Sequence, residues 1–259
     1  AAAFIASFIF VMKYLERISF LTIFETFSAT FKNGFVVQMG NIAQLFNYRM
    51  SFYILDNFYS GGRKDVGIYS IAVSVAEALW LISQSVAIIL YARISNSNDI
   101  VYSRKLTVSL IKIVFICTFF CTGILLFLPP SLFVFVFGKG FGGVSAILIP
   151  LSIGIVILSM GILLSCYFAG VGKPQVSVIG SIIGLVVTVI AGFVLIPKYG
   201  MIGAGITASA SYTAIVIYQF SIFMREAEEL SFRNFIFSRN DIRLIIGELK
   251  NIFAVKRAG

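Results

Sequence analysis

Between Gly40 and Asp56 the chain reads Gly-Asn-Ile-Ala-Gln-Leu-Phe-Asn-Tyr-Arg-Met-Ser-Phe-Tyr-Ile-Leu-Asp, and Asn41, Gln44, Asn47, Tyr48 and Arg49 supply its hydrogen-bonding chemistry. The flanking residues are apolar and no proline interrupts them, so the stretch reads as a helix that crosses a membrane with polar groups aboard. An arginine near the middle of such a helix costs roughly 2.5 to 3.5 kcal/mol on insertion scales, which directs it toward a partner or a wet cavity and away from lipid. A polar path through the protein is the simplest reason to carry it. One centred acidic residue, Glu77, lies in the next apolar stretch. At about 1.5 Å per residue it sits some 16 Å from the intervening turn, with Arg49 some 8 Å from that turn on the antiparallel neighbour. Two readings follow: Arg49 and Glu77 pair or share a wet cavity, or each bonds separately to nearby Ser, Asn or backbone groups.

The elements that carry these residues are membrane helices. Of the 259 residues 59% are hydrophobic and 12% charged, with a mean hydropathy of +0.99. A soluble domain of this length has too little interior for so much apolar surface, so the class is an all-α polytopic membrane protein. Histidine is absent, which excludes Ser-His-Asp hydrolysis, His-ligated metal and imidazole proton shuttles. Cys117, Cys121 and Cys166 stand in apolar runs, where thiols behave as small hydrophobes. The expectation is therefore no catalytic residues, no metal site and no cofactor. The net charge of +9 lies beside the apolar spans, so it reads as membrane topology and not as a nucleic-acid surface.

Taken in order, Ala1 to Met12 is apolar but too short to span about 30 Å; it reads as the end of a transmembrane helix that begins earlier, in a longer protein. Residues 1–32 form this end and an interfacial cytoplasmic linker, 33–224 a six-helix transmembrane lobe, and 225–259 a basic amphipathic cytoplasmic tail. The six spans fall near Asn33 to Phe58, Val66 to Ile94, Leu106 to Leu128, Ser145 to Gly170, Gln175 to Ile196 and Met201 to Met224. Turns lie at Ser60 to Asp65, Ser95 to Lys105, Pro129 to Val144, Gly170 to Pro174 and Pro197 to Gly200. Phe-Gly-Lys-Gly-Phe-Gly-Gly before Val144 reads as a flexible re-entry turn; it lacks the spacing and the Ser/Thr of a phosphate-binding loop. Lys112 is placed to snorkel toward the interface. Gly180 and Gly184, and the series Gly203, Ala204, Gly205, Ala208, Ser211, read as faces for close helix packing. With alternating spans, most Lys and Arg collect on the side of the linker and tail, which the positive-inside rule makes cytoplasmic; the Arg49 end of the first span then points outward.

Several strings add a resemblance. Asn47-Tyr48-Arg49 with Ile54-Leu55, then Val66-Gly67-Ile68-Tyr69-Ser70, Ala76-Glu77 and Leu79-Trp80, Gly170 to Pro174, and Ile196-Pro197-Lys198-Tyr199-Gly200-Met201-Ile202-Gly203-Ala204 stand in fixed order. Together they resemble the polysaccharide-biosynthesis (Wzx-like, O-antigen) flippases of the multidrug/oligosaccharidyl-lipid/polysaccharide exporter (MOP) superfamily, from about Gly34 to Tyr212. Ala92 stands where relatives often have proline, and Thr188 where they often have asparagine. The resemblance implies the C-terminal lobe of a twelve-helix, MATE-like protein of the bacterial inner membrane. It implies alternating-access transfer of undecaprenyl-pyrophosphate-linked oligosaccharide for O-antigen, lipopolysaccharide or capsule synthesis, with H+ or Na+ as a possible coupling ion. Implied partners are the lipid-linked oligosaccharide, membrane lipids, the N-terminal half of the same polypeptide and a polysaccharide polymerase with chain-length machinery; nucleic acid is not among them. Arg49 is then the candidate for pyrophosphate or sugar hydroxyls, since its fork of donors suits phosphate. Asn41, Gln44, Asn47 and Tyr48 line the path, and Glu77 serves as charge partner or proton acceptor. Alternatives are an exporter of small cationic molecules, which Arg49 would oppose, a membrane glycan polymerase or ligase, for which the outward loops are short, and a structural scaffold, which leaves Arg49 unexplained.

Overall fold

The computed structural model describes residues 20–60 and 62–227. The truncated first helix expected at 1–12 and nearly all of the basic tail expected from 225 onward lie outside the described residues. The chain divides into two compact units, Ala1–Met39 and Gly40–Gly259. Everything below concerns the second, apart from the start of α1.

The structure is all helical among the described residues: α1 (Phe20–Phe58), α2 (Gly62–Ala78), α3 (Trp80–Ser95), α4 (Ile100–Leu126), α5 (Pro130–Phe137), a 3₁₀ turn (Lys139–Phe141), α6 (Val144–Gly170) and α7 (Gln175–Glu226). Among the described residues, four segments are long and apolar enough to cross a membrane: Arg63–Ser95, Ile100–Leu126, Val144–Gly170 and Gln175–Glu226. The last, at 52 residues, is more than twice what a bilayer requires. It is helical except at Gly200, where φ 56° and ψ −131° reverse the chain in a conformation that a Cβ disfavours. Across this turn Gly192 faces Thr207, Gly184 faces Ile215 and Gly180 faces Gln219. Those pairings run antiparallel about residue 200, so α7 is two arms, 175–199 and 201–226.

Contacts at the helix ends fix the direction of each pass. Tyr59 lies against Gly200, and Ile68 against Gly143, which gathers the turns after α1, after α5 and within α7 at one end. At the other end Ile94 lies against Gly170 and Gly40 against Val178, while Lys173 Nζ reaches Glu226 at 2.9 Å. Among the described residues from Gly40 onward, successive long helical segments run between these two ends. The portion of α1 from Gly40 runs parallel to the first arm of α7: Gly40 meets Val178, Gly184 meets Asn47 and Gly192 meets Ile54.

One core cluster joins Ile54, Leu55, Tyr69, Ala72, Trp80, Leu151, Ile155, Ala204 and Tyr212. A second, toward the opposite end, joins Leu90, Ile94, Leu106, Ile111, Leu164, Tyr167 and Phe223. Beside the first cluster, a hydroxyl couples α6 to α7. Ser209 Oγ donates to the Pro150 carbonyl at 2.5 Å and accepts from the Gly154 amide at 3.1 Å. Those two backbone groups are one i to i−4 rung of α6, so a side chain from α7 sits on the helix ladder one turn beyond a proline. A Cβ built on Gly154 would fall 2.5 Å from Ser209 Cα, which is why glycine occupies the crossing.

Residues 20–32, within the stretch read as an interfacial linker, are helical as the start of α1; no proline or glycine pair precedes Asn33 to stop the helix. Two expectations change. The stretch after Pro129 is not simply a turn, because α5 and the 3₁₀ segment occupy most of it. Lys112 is 8% exposed and engaged within the protein, since the face of α4 that carries it packs inward with Val108 and Ile111.

Candidate functional site

The polar run in α1 is sorted by helical geometry. Successive residues advance about 100° around a helix, so neighbours in sequence look in different directions. Gly40, Ala43, Asn47, Ser51, Ile54 and Leu55 form the buried stripe, Asn41 and Arg49 are exposed, and Gln44, Tyr48 and Phe52 lie between.

Asn47 is 4% exposed and sits where three helices meet. Its Oδ1 accepts from Ser211 Oγ at 2.8 Å and from Thr188 Oγ1, joining α1 to both arms of α7. Ser211 Oγ also lies 2.9 Å from the Gly184 carbonyl. Gly184 is required here: a Cβ would stand 2.5 Å from Ile215 Cδ1 and 3.0 Å from Asn47 Nδ2. The small-residue spacing of Gly180 and Gly184 thus does the packing work the sequence suggests, and Thr188, whose type departs from the resembling family, is the hydroxyl that meets Asn47. Asn47 Nδ2 has no hydrogen-bond partner.

Arg49 points the other way. Its guanidinium lies over the Phe52 ring at 5.6 Å, a cation–π distance, and Phe52 packs edge-on against Tyr69 at 4.8 Å. Tyr69 is buried in α2, with its hydroxyl a long 3.5 Å from the Ala204 carbonyl. The arginine therefore rests on an aromatic stack anchored in the core. Glu77, half-buried on α2, lies within electrostatic reach of Arg49 but makes no contact ion pair with it. Of the arrangements the sequence leaves open, a contact pair does not form in this structure, while the two groups remain within electrostatic reach of each other.

The region of these two groups has an aromatic wall. Tyr48, Trp80 and Tyr212 form a triangle with centroid separations of 5.1 Å, 5.9 Å and 5.8 Å. Gln44 lies beside the Tyr48 hydroxyl, and Glu77 acts on Tyr48, Tyr69 and Tyr212. At the α2–α3 junction the backbone tightens: Leu79 N–H bonds the Ala76 carbonyl at 3.1 Å and Ile82 N–H bonds the Leu79 carbonyl at 3.3 Å. Such i to i−3 bonds tighten the backbone between Glu77 and Trp80, and Trp80 packs beside Tyr48.

Of the six candidates, the structure brings Gln44, Tyr48, Arg49 and Glu77 to one neighbourhood, sets Asn41 about two turns from Arg49 on α1, and turns Asn47 into a helix junction. Sequence reasoning alone does not single out Phe52, Tyr69 or Tyr212 as their neighbours. Tyr212 is the large residue ending the stripe Ala204, Ala208, Ser211, and that break in a small-residue face was the available signal.

Comparison with known proteins places this architecture. No family model matches the chain. Over 174 residues, 64% of the chain, it is 32% identical to the capsular polysaccharide biosynthesis protein CapF of Staphylococcus aureus, covering 43% of that protein. Two solved structures are similar in fold. One is a MOP superfamily transporter from Pyrococcus furiosus whose binding pocket has reversed polarity, with TM-score 0.60 and 15% identity over 82% of this chain and 48% of that one. The other is a multidrug resistance MATE family transporter of the MOP superfamily in an outward-facing conformation, with TM-score 0.54 and 14% identity over 82% and 49%. The chain thus spans about half the length of the proteins it matches, and over that half its helices follow the fold of MOP superfamily transporters.

Proposed function

We propose that the chain is the C-terminal lobe of a bacterial inner-membrane flippase that moves a lipid-linked oligosaccharide outward for surface polysaccharide synthesis. The observation that carries this reading is Arg49, exposed in the apolar part of α1 and lying on Phe52 with no carboxylate in contact among the described residues. A guanidinium so placed keeps its donor fork available to an incoming phosphate, and the aromatic surface beneath offsets part of the cost of holding a cation there. Gln44, Tyr48 and Asn41 offer neutral donors and acceptors suited to sugar hydroxyls. Glu77 supplies a nearby negative charge that balances Arg49 when substrate has left, or takes up a coupling proton. The similarity to a capsular polysaccharide biosynthesis protein supports a glycan substrate, and the MOP transporter fold supports alternating access. The partners this reading requires are an N-terminal half-transporter and the lipid-linked glycan; the end holding Lys173 and Arg225 faces the cytoplasm.

The test is complementation of a flippase-null strain by the full-length gene, with surface glycan and lipid-linked intermediate measured together. Restored surface glycan and a depleted intermediate are expected, and Arg49→Ala should abolish both at equal membrane abundance. An unchanged intermediate with the cognate glycan supplied would overturn the flippase reading. Normal export by Arg49→Ala would remove the arginine from it.

A further inference from the structure

The segment between α4 and α6 has a construction that transport through the Arg49 region does not use. Pro129 is extended, with φ −69° and ψ 145°, and Gly138 has φ 105°, so α5 is bounded at both ends by residues that break it from its neighbours. Its sequence, Pro-Ser-Leu-Phe-Val-Phe-Val-Phe, has one polar side chain in eight positions. Phe133 is 4% exposed and packs into the core, which pins one face. Elsewhere the segment is bare: Phe135 is 87% exposed, Val136 60%, and Phe127, just before the helix, 91%.

We propose that α5 is a lipid-docking element, seated in the membrane interface with Phe127, Phe135 and Val136 among the upper acyl chains and Lys139 at anionic headgroups. Two observations select lipid as the occupant. The bare face continues the exposed apolar band of α4, through Ile124 and Phe120, and α4 packs on α3 and α6 at the edge of the helix assembly, so the surface it extends is the one that meets acyl chains. The charge then changes where a headgroup would begin: the 3₁₀ turn that follows presents Lys139, exposed and flanked by Gly138 and Gly140. Aromatic residues backed by a lysine form the pattern of a segment that lies in the interface and does not cross the bilayer. The inference is independent of what the protein transports.

The experiment uses the full-length protein in vesicles of phosphatidylcholine and phosphatidylglycerol, with Cys117, Cys121 and Cys166 replaced by alanine. A single environment-sensitive fluorophore is placed by Phe135→Cys, by Phe127→Cys or by Lys139→Cys. Neither phenylalanine makes a packed contact that the substitution would remove, and the two report separately should one variant insert poorly. Labels at positions 135 and 127 are expected to be quenched at least about twofold more by a lipid carrying a doxyl group near its headgroup than by aqueous iodide; the label at 139 should show the reverse order. Strong iodide quenching at 135 and 127 would place α5 in water and overturn the proposal. Weak quenching by both agents would mean that protein covers this face, either a second copy or the rest of the polypeptide, and would overturn it equally.

Discussion

Asn47 separates a structural from a substrate-contacting polar residue, and its expected behaviour follows from the bonds it makes. Its Oδ1 accepts from Ser211 and Thr188, and interhelical hydrogen bonds in membrane proteins average about 0.6 kcal/mol each, with a maximum near 1.7 kcal/mol. Losing both removes roughly 1.2 kcal/mol. Against that loss, Nδ2 is buried without a partner, and deleting an orphaned donor returns a desolvation cost of about 1 to 3 kcal/mol. The terms oppose, so Asn47→Leu, which also refills the volume, should leave net stability within about 1 kcal/mol of wild type. The bonds are revealed by double-mutant cycles, not by the single substitution. Reversible unfolding in mixed micelles should give coupling near 0.6 kcal/mol between Asn47→Leu and Ser211→Ala, and a similar value with Thr188→Val. A control pair with Ser159→Ala should give none, because Ser159 bonds the Val156 carbonyl of its own helix. Export by correctly inserted Asn47→Leu should be largely retained. Coupling no larger than the control, or export lost as completely as with Arg49→Ala, would refute the assignment of Asn47 to the helix junction.

Phe52→Leu removes the ring under Arg49 while keeping an apolar side chain, and should weaken transport several-fold, consistent with a cation–π term of about 0.5 to 2 kcal/mol; Phe52→Trp should restore it, and equal activity of the two variants in an export assay would show that the ring does not position the guanidinium. Gly154→Ala places a methyl group against the Ser209 backbone and should cost about 1 to 3 kcal/mol as overpacking. Ser209→Ala, which lets the α6 rung close on itself, should cost clearly less, and thermal unfolding that ranks the pair in the opposite order would contradict the crossing as described.

Much of the architecture is written in local signals that need no tertiary knowledge. Gly200 follows Pro197 between two long apolar runs, and a turn there is demanded by bilayer thickness alone; its positive φ then explains why glycine holds the position. The turn at 170–174, with Gly172 also at positive φ, is legible for the same reason. Sidedness within the polar run of α1 is a different kind of information. Asn47, Tyr48 and Arg49 are adjacent in sequence, yet one is buried, one lies between and one is exposed, and nothing local says which direction faces protein. That choice is made by Thr188, Ser211 and Gly184, about 140 to 165 positions away, which together form a notch for one amide at about the depth where α1 passes. The inward placement of Lys112 has the same origin: a lysine near a span end can snorkel, but the face it occupies is decided by its neighbours in α4. In α5 the obstacle was the glycine-rich string after it, whose turn propensity spread backward over eight residues that helix packing claims through Phe133.

The same sorting explains how an arginine can stand in this part of the fold. Had Arg49 paired closely with Glu77, each charge would have been satisfied by the other, and the phosphate of the proposed substrate would have had to break a low-dielectric ion pair before binding. The structure instead puts an aromatic ring beneath the guanidinium and leaves Glu77 within electrostatic reach but not in contact. A ring offers the cation a diffuse attraction that does not consume its hydrogen-bond donors, whereas a carboxylate would occupy two of them. Glu77 then sets the electrostatic background without competing for the donor fork. Under the function proposed above, where the site would release one anionic headgroup and accept the next, this weaker arrangement favours turnover, and it would make Phe52 as consequential for the cycle as the arginine it supports.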